Sequence, residues 1–560
     1  MEQKGRVGRS RAIWIVLAAA AALRVIYLFD YRAHSVFWDK MLLDAELYDN
    51  WAVRIAAGDW LSGTEVFTLP PLYPYFLAVL YRMFGHGYSV VYVIQSCLGL
   101  ANIYLIYAIG RKVFAGRAPL IAAAMATLYG SFMFMESKLM STTLALTLGL
   151  CLMRMLLWAG EAQTLTLWGA CGAMLGLTAL ARPETLVFVP FAAWWIHRVT
   201  RRGAARKPAA AIDQYLLAGR QPWFAICAFA CFVVIAVSPV TMRNWVVSDD
   251  WSLSNLISSQ AGITFHQSNN EKAVGLYVFL QHEGFSGSPA SQAEEEKALA
   301  EKATGLPMKR SEVTRYWMGR GLSWIVANPT RFVALEFWKL VRFLGSYEYS
   351  TEYIIYVERE SVKSLWLTCL PFAAFTALGL AGIAMQRREG FRAPSLLLLL
   401  FVVSNLLVVM MFYVSSRYRM PSAPYLILFA ASAVERMWNG YRSRIGAART
   451  EAWIYAGIAA TIFAVFHPQV DASSRIQEAN THYNSGNQYF EKKRYEDAIK
   501  EYDRSLVDYR TNWRAWYNRG NALLAVGRKP EAIESFRQAL KHNKNMAAAR
   551  RQIESLGGTP

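Results

Sequence analysis

Apolar residues collect into runs of about 16–24 residues, separated by short polar and often basic breaks. At about 1.5 Å per residue such runs are long enough to cross a hydrocarbon core about 30 Å thick. The pattern predicts eleven membrane-spanning helices, near 12–29, 88–110, 118–135, 139–158, 164–181, 185–200, 223–240, 362–384, 393–414, 421–438 and 452–467. Two further apolar stretches, 71–84 and 331–345, are read as re-entrant or interfacial, which leaves a range of about 11 to 13 spans. After residue 467 the long runs stop and the chain becomes polar and amphipathic.

That last part repeats itself every 34 residues. Gly486-Asn487 recurs as Gly520-Asn521, Ala498-Ile499 as Ala532-Ile533, Tyr502 as Phe536, and Leu506 as Leu540. Period and pattern resemble the tetratricopeptide repeat, in which small residues let two helices approach and aromatics fill the space between repeats. The expected layout is a linker at 468–478, repeats at 479–512 and 513–546, and a capping helix. Ser505 stands where the repeat usually has Ala, and Arg510 where it has Pro. Two repeats and a cap are marginal as an isolated unit, so they are expected to lean on the membrane part (1–467) or on a protein partner.

Composition agrees: 54% of the 560 residues are hydrophobic and 18% are charged, too apolar for one soluble domain. The formal charge of +19 changes the picture only through its placement. With the N-terminus in the cytoplasm, Lys4, Arg6, Arg9 and Arg11 lie inside. So do Arg111, Lys112 and Arg117; Arg198, Arg201, Arg202, Arg206, Lys207 and Arg220; Arg387, Arg388 and Arg392; and Arg436, Arg442, Arg444 and Arg449. The short outer turns hold Lys138, Arg182, Arg417 and Arg419. This is the positive-inside asymmetry, and it argues against nucleic acid as the partner of the basic residues. Residues 30–87, 241–361 and the repeats are then expected outside, most simply the outer side of a bacterial inner membrane. The six cysteines all lie in apolar runs, so no disulfide framework is expected.

The outer segments carry the candidate chemistry. Asp44, Tyr48 and Trp51 fall at i, i+4 and i+7 of a short helix expected to be capped by Asp39 and to stop at Gly58, so they share one face. A carboxylate beside two aromatics suits a sugar hydroxyl, whereas solvated acids with interfacial aromatics are the plain alternative. Pro70-Pro71-Leu72-Tyr73-Pro74 fixes a rigid turn. Glu136 is an acid at a span boundary, where packing gives it no reason to be. Cys227 and Cys231, four apart without a nearby His, are read as packing residues.

Taken in order, Asp44-x-x-x-Tyr48, Pro70-Pro71-Leu72-Tyr73-Pro74, Glu136 and Leu180-Ala181-Arg182-Pro183-Glu184 resemble the GT-C glycosyltransferases. The nearest group is the bacterial relatives of the dolichyl-phosphate-mannose protein mannosyltransferases and the lipid A aminoarabinose transferase. Ser238-Pro239-Val240-Thr241-Met242-Arg243-Asn244, Ser268-Asn269-Asn270-Glu271-Lys272-Ala273-Val274-Gly275 and Arg417-Tyr418-Arg419-Met420-Pro421 extend the likeness over about 10–440. The resemblance implies an all-α, polytopic GT-C-like membrane fold, with the first span an uncleaved anchor. It implies Asp44 as catalytic base and Glu136 as the second outer acid. Leu69 and Ser268 depart from the pattern, where some relatives carry a basic residue and a glycine.

The expected reaction takes a sugar from a polyprenyl-phosphate donor, lying in membrane lipid, to a hydroxyl on a protein, lipid or glycan acceptor, with inversion. Such a donor needs a base at the acceptor and positive charge on the leaving phosphate. Arg182, Arg243, Arg417 and Arg419 are the phosphate candidates, because guanidinium offers paired donors and stays charged. Tyr48, Trp51, Tyr73, Asn269 and Asn270 are the sugar or acceptor candidates. No cofactor is called for. The two acids leave a divalent metal open, without a ligand cluster that demands one. The rival from another class is a non-catalytic scaffold that assembles an envelope complex on its repeats. A transporter is the weaker rival, since no matched pair of broken spans is present.

Overall fold

The computed structural model describes residues 2–63, 65–203, 221–278, 280, 283–285, 291–350, 352–467 and 471–559, with side chains described from residue 11 and not at 203 or 221. The basic residues Lys4, Arg6, Arg9, Arg206, Lys207 and Arg220 of the charge argument therefore lie outside the described side chains. Among the described residues the chain is helical, without a strand. It divides into two compact units: Met1–Val25, Leu43–Tyr347 and Leu367–Gln469 in the first, and Ile26–Leu42, Glu348–Trp366 and Val470–Pro560 in the second.

Six described helices of the chain are long and apolar enough to cross a membrane: Arg11–His34, Tyr88–Val113, Thr142–Ala162, Pro222–Ser248, Lys363–Glu389 and Ala393–Met411. The expected span at 118–135 is broken into Ala118–Thr127 and Gly130–Glu136, bent by 54°. The expected spans at 164–181, 185–200, 421–438 and 452–467 fall on the helices Leu165–Ala181, Val189–Gly203, Ala423–Tyr441 and Gly446–Phe466. The first of these has only 17 residues. The chain is an integral membrane protein.

Glycines set the closest helix pairs of the first unit. A Cβ at Gly172 would lie 2.0 Å from the Phe229 carbonyl oxygen, and one at Gly176 2.5 Å from the Ala236 Cβ. This small-xxx-small stripe seats Leu165–Ala181 on the Gln221–Ser248 helix. Gly379 and Gly382 do the same between Phe372–Glu389 and the carbonyls of Leu426 and Phe429. Packing of this kind holds membrane helices together where lipid removes the hydrophobic drive between them.

In the second unit the repeats form the helix pairs Ala472–Glu491 with Tyr495–Asp508 and Trp513–Ala525 with Lys529–His542, followed by Ala547–Ser555. The small residues act as the period suggested: Cβ atoms at Gly486 and Gly520 would each lie 2.6 Å from the rings of Tyr502 and Phe536. The linker was expected to reach residue 478, but the first helix starts at Ala472 because the Asp471 carboxylate accepts from Ser474 N at 2.8 Å and caps it. The repeats also hold two earlier pieces of chain. Lys40 pairs with Glu491 at 2.8 Å, Lys492 donates to the Val36 carbonyl at 3.2 Å, Arg504 pairs with Glu360 at 3.0 Å, and Ser350 N donates to Gln477 at 3.3 Å.

Candidate active site

Asp44 is the first residue of the Asp44–Ala56 helix. The cap expected at Asp39 falls four residues later, at Leu43, which adopts φ 48°, a backbone conformation that a bulky side chain rarely takes. Asp44 Oδ2 accepts from Arg417 Nη1 at 2.8 Å. The two side chains keep 21% and 17% of their surface exposed.

Arg417 lies in the short Ser416–Arg419 helix, after the Ala393–Met411 helix. Arg182 follows directly on Leu165–Ala181. Its Nη1 donates to the backbone carbonyl of Arg417, and its Nε donates to Glu184 at 2.8 Å. The Tyr418 ring lies 5.0 Å from the Arg182 guanidinium and 5.5 Å from that of Arg417. Two arginines and two carboxylates thus share one corner.

Tyrosines wall it. Tyr48, one turn after Asp44, is buried and feels the charges of Asp44, Arg417 and Arg182. Burial, aided by Asp44, pushes its hydroxyl well above the ordinary tyrosine range, so it remains protonated and acts as a hydrogen-bonding group. Burial does the same to Tyr277, whose hydroxyl accepts from Gln267 at 3.1 Å. Tyr413 bridges the wall, with its ring 5.4 Å from Tyr277 and 5.2 Å from Tyr418. Sequence reasoning missed Tyr277, Tyr413 and the wall position of Tyr418, since nothing local marks an aromatic at a loop as a wall.

The other candidates have partners of their own. Both Glu136 oxygens are taken by Arg24, at 2.6 and 2.8 Å, with the two side chains 2% and 4% exposed. Glu136 is the acid of a buried ion pair, and its backbone carbonyl accepts from Gln95, the partner of Tyr73. Arg243 donates to the carbonyls of Leu61, Ser62, Gly63 and Glu65 and lies 4.0 Å over the Phe67 ring, so it clamps a loop. Arg419 is fully buried and donates to the carbonyls of Arg342, Phe343, Gly345 and Tyr347, closing the end of the Pro329–Leu344 helix. Arg243 and the two terminal nitrogens of Arg419 thus donate to backbone carbonyls, a use that their reading as phosphate ligands did not foresee.

Trp51 packs on Phe67 at 5.6 Å. Tyr73 is buried, stands edge-on to Tyr48 at 5.2 Å, and donates to Gln95 at 2.9 Å. Asn269 and Asn270 are buried and hold backbone: Asn269 donates to Phe265 and Met411, Asn270 to His266 and Gln267. Tyr73 and the two asparagines are buried, and Trp51 is half-buried. The two asparagines serve indirectly. They fix the loop whose Gly275 carbonyl accepts from Val414 N at 2.9 Å, and so bring Tyr277 to the segment that carries Arg417. Asp49 is a buried acid that sequence reasoning passed over. It accepts from Tyr81 at 2.6 Å and Tyr88 at 2.8 Å and has His86 Nε2 at 3.0 Å, which ties its helix down. Among the described residues no group of three or more His, Cys, Asp or Glu is disposed to hold a metal ion.

The corner is what a transfer to a hydroxyl needs: a partly exposed carboxylate within reach of solvent, two guanidiniums, and aromatic walls in a helical membrane protein. Residues 68–240 match the family model of the dolichyl-phosphate-mannose-protein mannosyltransferases, and residues 486–527 and 513–546 match models of the tetratricopeptide repeat. The membrane part thus resembles the GT-C glycosyltransferases, and the C-terminal part is built of tetratricopeptide repeats. The first match holds Arg182 and Glu184 and stops short of Asp44 and Arg417.

Among solved structures, the oligosaccharyltransferase of Archaeoglobus fulgidus tethered with an acceptor peptide aligns at 12% identity and a TM-score of 0.40, over 87% of this chain and 58% of that one. The archaeal oligosaccharyltransferase AglB of Archaeoglobus fulgidus, in complex with an inhibitory peptide and a dolichol-phosphate, aligns at 13% and 0.39, over 85% and 59%. ArnT of Cupriavidus metallidurans, bound to undecaprenyl phosphate, aligns at 16% and 0.34, over 76% and 79%. The chain spans less than two thirds of the length of the oligosaccharyltransferase chains. No curated protein matches it.

Proposed function

We propose that the chain is an integral-membrane glycosyltransferase that moves a sugar from a polyprenyl-phosphate donor to an extracytoplasmic hydroxyl with inversion. The observation that carries this reading is the single, partly exposed hydrogen bond between Asp44 and Arg417, with Arg182 against the same segment. The match of residues 68–240 to a lipid-phosphate-sugar transferase family supports it.

In the reaction the acceptor oxygen attacks the anomeric carbon while the bond from that carbon to the phosphate oxygen breaks. The hydroxyl proton passes to Asp44. The polyprenyl phosphate leaves as an anion, and Arg417, with Arg182 behind it, is the cation that meets it. Before donor arrives Arg417 rests on Asp44. A phosphate competes for that guanidinium and frees the carboxylate to act as base.

The test is transfer itself. Purified protein in lipid nanodiscs is offered tritiated polyprenyl-phosphate mannose, glucose and aminoarabinose with envelope acceptor fractions. Transfer of label, and its loss in Asp44→Asn, is the expected result. Neither donor binding nor transfer across this panel would favour the scaffold reading.

The repeats belong, in this reading, on the same side of the membrane as residues 30–87 and 241–361, where they hold an acceptor or protein partner near the site. Their contacts with residues 36–40 and with Ser350 and Glu360 inside one compact unit support this. Single cysteines near Gly58 and Gly557, in a background without the native six, are both expected to react with an impermeant thiol reagent in spheroplasts. Protection of the second alone would overturn the orientation.

A further inference from the structure

The first unit has an apolar cleft that the proposed reaction does not use. A cavity of 790 Å³ is lined by Ile121, Met437, Trp438, Tyr441 and Trp453, among others, with Arg117 and Arg442 at its polar edge. It lies between the Ala118–Thr127, Ala423–Tyr441 and Gly446–Phe466 helices. The last two are drawn together where Gly440 meets Ala448 and Ala452; a Cβ there would lie 2.9 Å from the Ala448 carbonyl oxygen.

Gln95, bonded to Tyr73 beneath Tyr48, and Val113, just before Arg117, belong to one helix, Tyr88–Val113. Eighteen residues separate them, about 27 Å along the axis at 1.5 Å per residue. The cleft therefore sits a span away from Asp44, at the end of the bundle that carries Arg111, Arg388, Arg436, Arg444 and Arg449.

Three aromatics at the cleft stay half exposed or more: Trp438 at 55%, Tyr441 at 52% and Trp453 at 62%. Tyr441 and Trp453 stand edge-on at 5.6 Å. Amphipathic rings of this kind sit at headgroup level, with acyl chain on one side and water on the other. Both arginines are exposed. Arg442 lies 5.7 Å from the Trp438 ring, and among the described residues neither arginine has an acidic partner. The one carboxylate in the lining, Glu435, is spent: its oxygens accept from the backbone N–H of Arg117 at 2.5 Å and of Ala118 at 2.7 Å. It caps that helix N-terminus and leaves the two guanidiniums to an outside anion. Gly116 makes the cap fit, since a Cβ there would lie 2.2 Å from a Glu435 oxygen.

We infer that this cleft is a binding site for an anionic phospholipid, with an acyl chain along the Ile121, Met437 and Trp453 wall and the headgroup phosphate between Arg117 and Arg442. The charge at the rim selects an anionic headgroup over a zwitterionic one, and the distance from Asp44 separates the site from the one that meets the donor lipid.

The experiment uses the full chain, delipidated in detergent and titrated with dioleoyl phosphatidylglycerol, dioleoyl phosphatidylcholine or undecaprenyl phosphate, with bound lipid counted by native mass spectrometry. Wild-type protein is expected to retain phosphatidylglycerol over phosphatidylcholine. In Arg117→Ala/Arg442→Ala that preference falls on the order of tenfold, from the few-fold that each charge near an anionic surface carries. Arg444→Ala/Arg449→Ala, outside the cleft, keeps it. As a second measurement, phosphatidylglycerol with brominated chains is expected to quench wild-type fluorescence more than that of Trp438→Phe/Trp453→Phe. An unchanged preference in the cleft variant, equal retention of phosphatidylcholine, or displacement of phosphatidylglycerol by undecaprenyl phosphate at this cleft would each overturn the inference.

Discussion

Asp44 and Glu136 both carry a carboxylate in the first unit, and both meet an arginine, yet the two corners are built for different ends. Glu136 gives both oxygens to Arg24, at 2.6 and 2.8 Å, in a site that is 2% and 4% exposed. Asp44 gives one oxygen to Arg417, at 2.8 Å, and about a fifth of its side chain still meets solvent. A buried pair with every partner supplied leaves nothing to exchange; breaking it strands a charge in low dielectric. A single-point pair at an accessible edge trades partners at small cost. Backbone tells the same story. Glu136 ends a regular helix, whereas Asp44 follows a leucine held at φ 48°, and strain of this kind collects at working sites.

The sharpest way to break the comparison is to neutralise each acid without changing its shape. Asp44→Asn is expected to lower the transfer rate by about 10²–10⁴, the usual scale for a base, with the melting temperature nearly unchanged. Glu136→Gln is expected to do the reverse: fewer folded molecules, and near-normal rate for each. Equal rate losses with equal melting temperatures would put both acids in the chemistry and end the distinction.

Next in size is the pair on the Glu136 side. Arg24→Ala leaves Glu136 buried and uncompensated, a loss of about 3–5 kcal/mol, read as a large drop in thermal stability in detergent. Arg24→Met/Glu136→Met removes both charges and is expected to recover most of it. Arg24→Ala without thermal effect would mean that the pair is open to solvent.

The two neighbouring arginines 417 and 419 extend the contrast. Arg417→Ala is expected to slow transfer by about 10²–10³, the scale for removing one preorganised donor from a developing anion, and Arg417→Lys to rescue it poorly because a point charge cannot replace the planar fork. Arg419→Ala is expected to act on folding, since its donors close the Pro329–Leu344 helix. Kinetic loss in Arg419→Ala at full stability would exchange their roles.

Local periodicity was legible in the residues; pairing across the chain was not. The 34-residue repeat pointed to small residues where paired helices approach, as Gly486 and Gly520 do; the aromatics expected between repeats, Tyr502 and Phe536, instead lie against the glycine of their own repeat. The i, i+4 spacing put Tyr48 beside Asp44. The same spacing also placed Trp51 on that face, but it could not foresee that the indole packs on Phe67. Of four arginines chosen for paired donors and lasting charge, Arg182 and Arg417 reach the corner and Arg243 and Arg419 hold backbone. Only tertiary packing decides which carbonyls a guanidinium finds. Glu136 looked unpaired because its partner is 112 residues away. One signal was there to find it: Arg24 is a charge in the middle of the first apolar run, and such a residue faces a partner inside the bundle. The bend between Thr127 and Gly130 escaped for a related reason, since the 118–135 run stays apolar across the break.

A third buried polar group, in the repeats, tests the rule from the other side. Glu136 is buried and fully partnered; Ser505 is buried at 0% exposure and its Oγ has no hydrogen-bond partner among the described residues. It occupies the position where the repeat usually carries Ala, facing the cluster of Ala498, Ile499 and Tyr502 on the Tyr495–Asp508 helix. If incomplete pairing is what makes burial costly, Ser505→Ala should stabilise the repeats by about 1 kcal/mol, the low end of the penalty for an unmade hydrogen bond. Alanine adds helix propensity in the same direction, by a few tenths of a kcal/mol. The measurement is hydrogen exchange in the full chain, read over residues 495–542, where opening of the repeats is seen apart from the membrane part. Slower exchange there, with the helices of the first unit unchanged, is the expected outcome. Faster exchange would mean that the Ser505 hydroxyl has found a partner that Ala cannot replace, and that burial alone, without the count of hydrogen bonds, does not separate the Glu136 corner from the Asp44 corner.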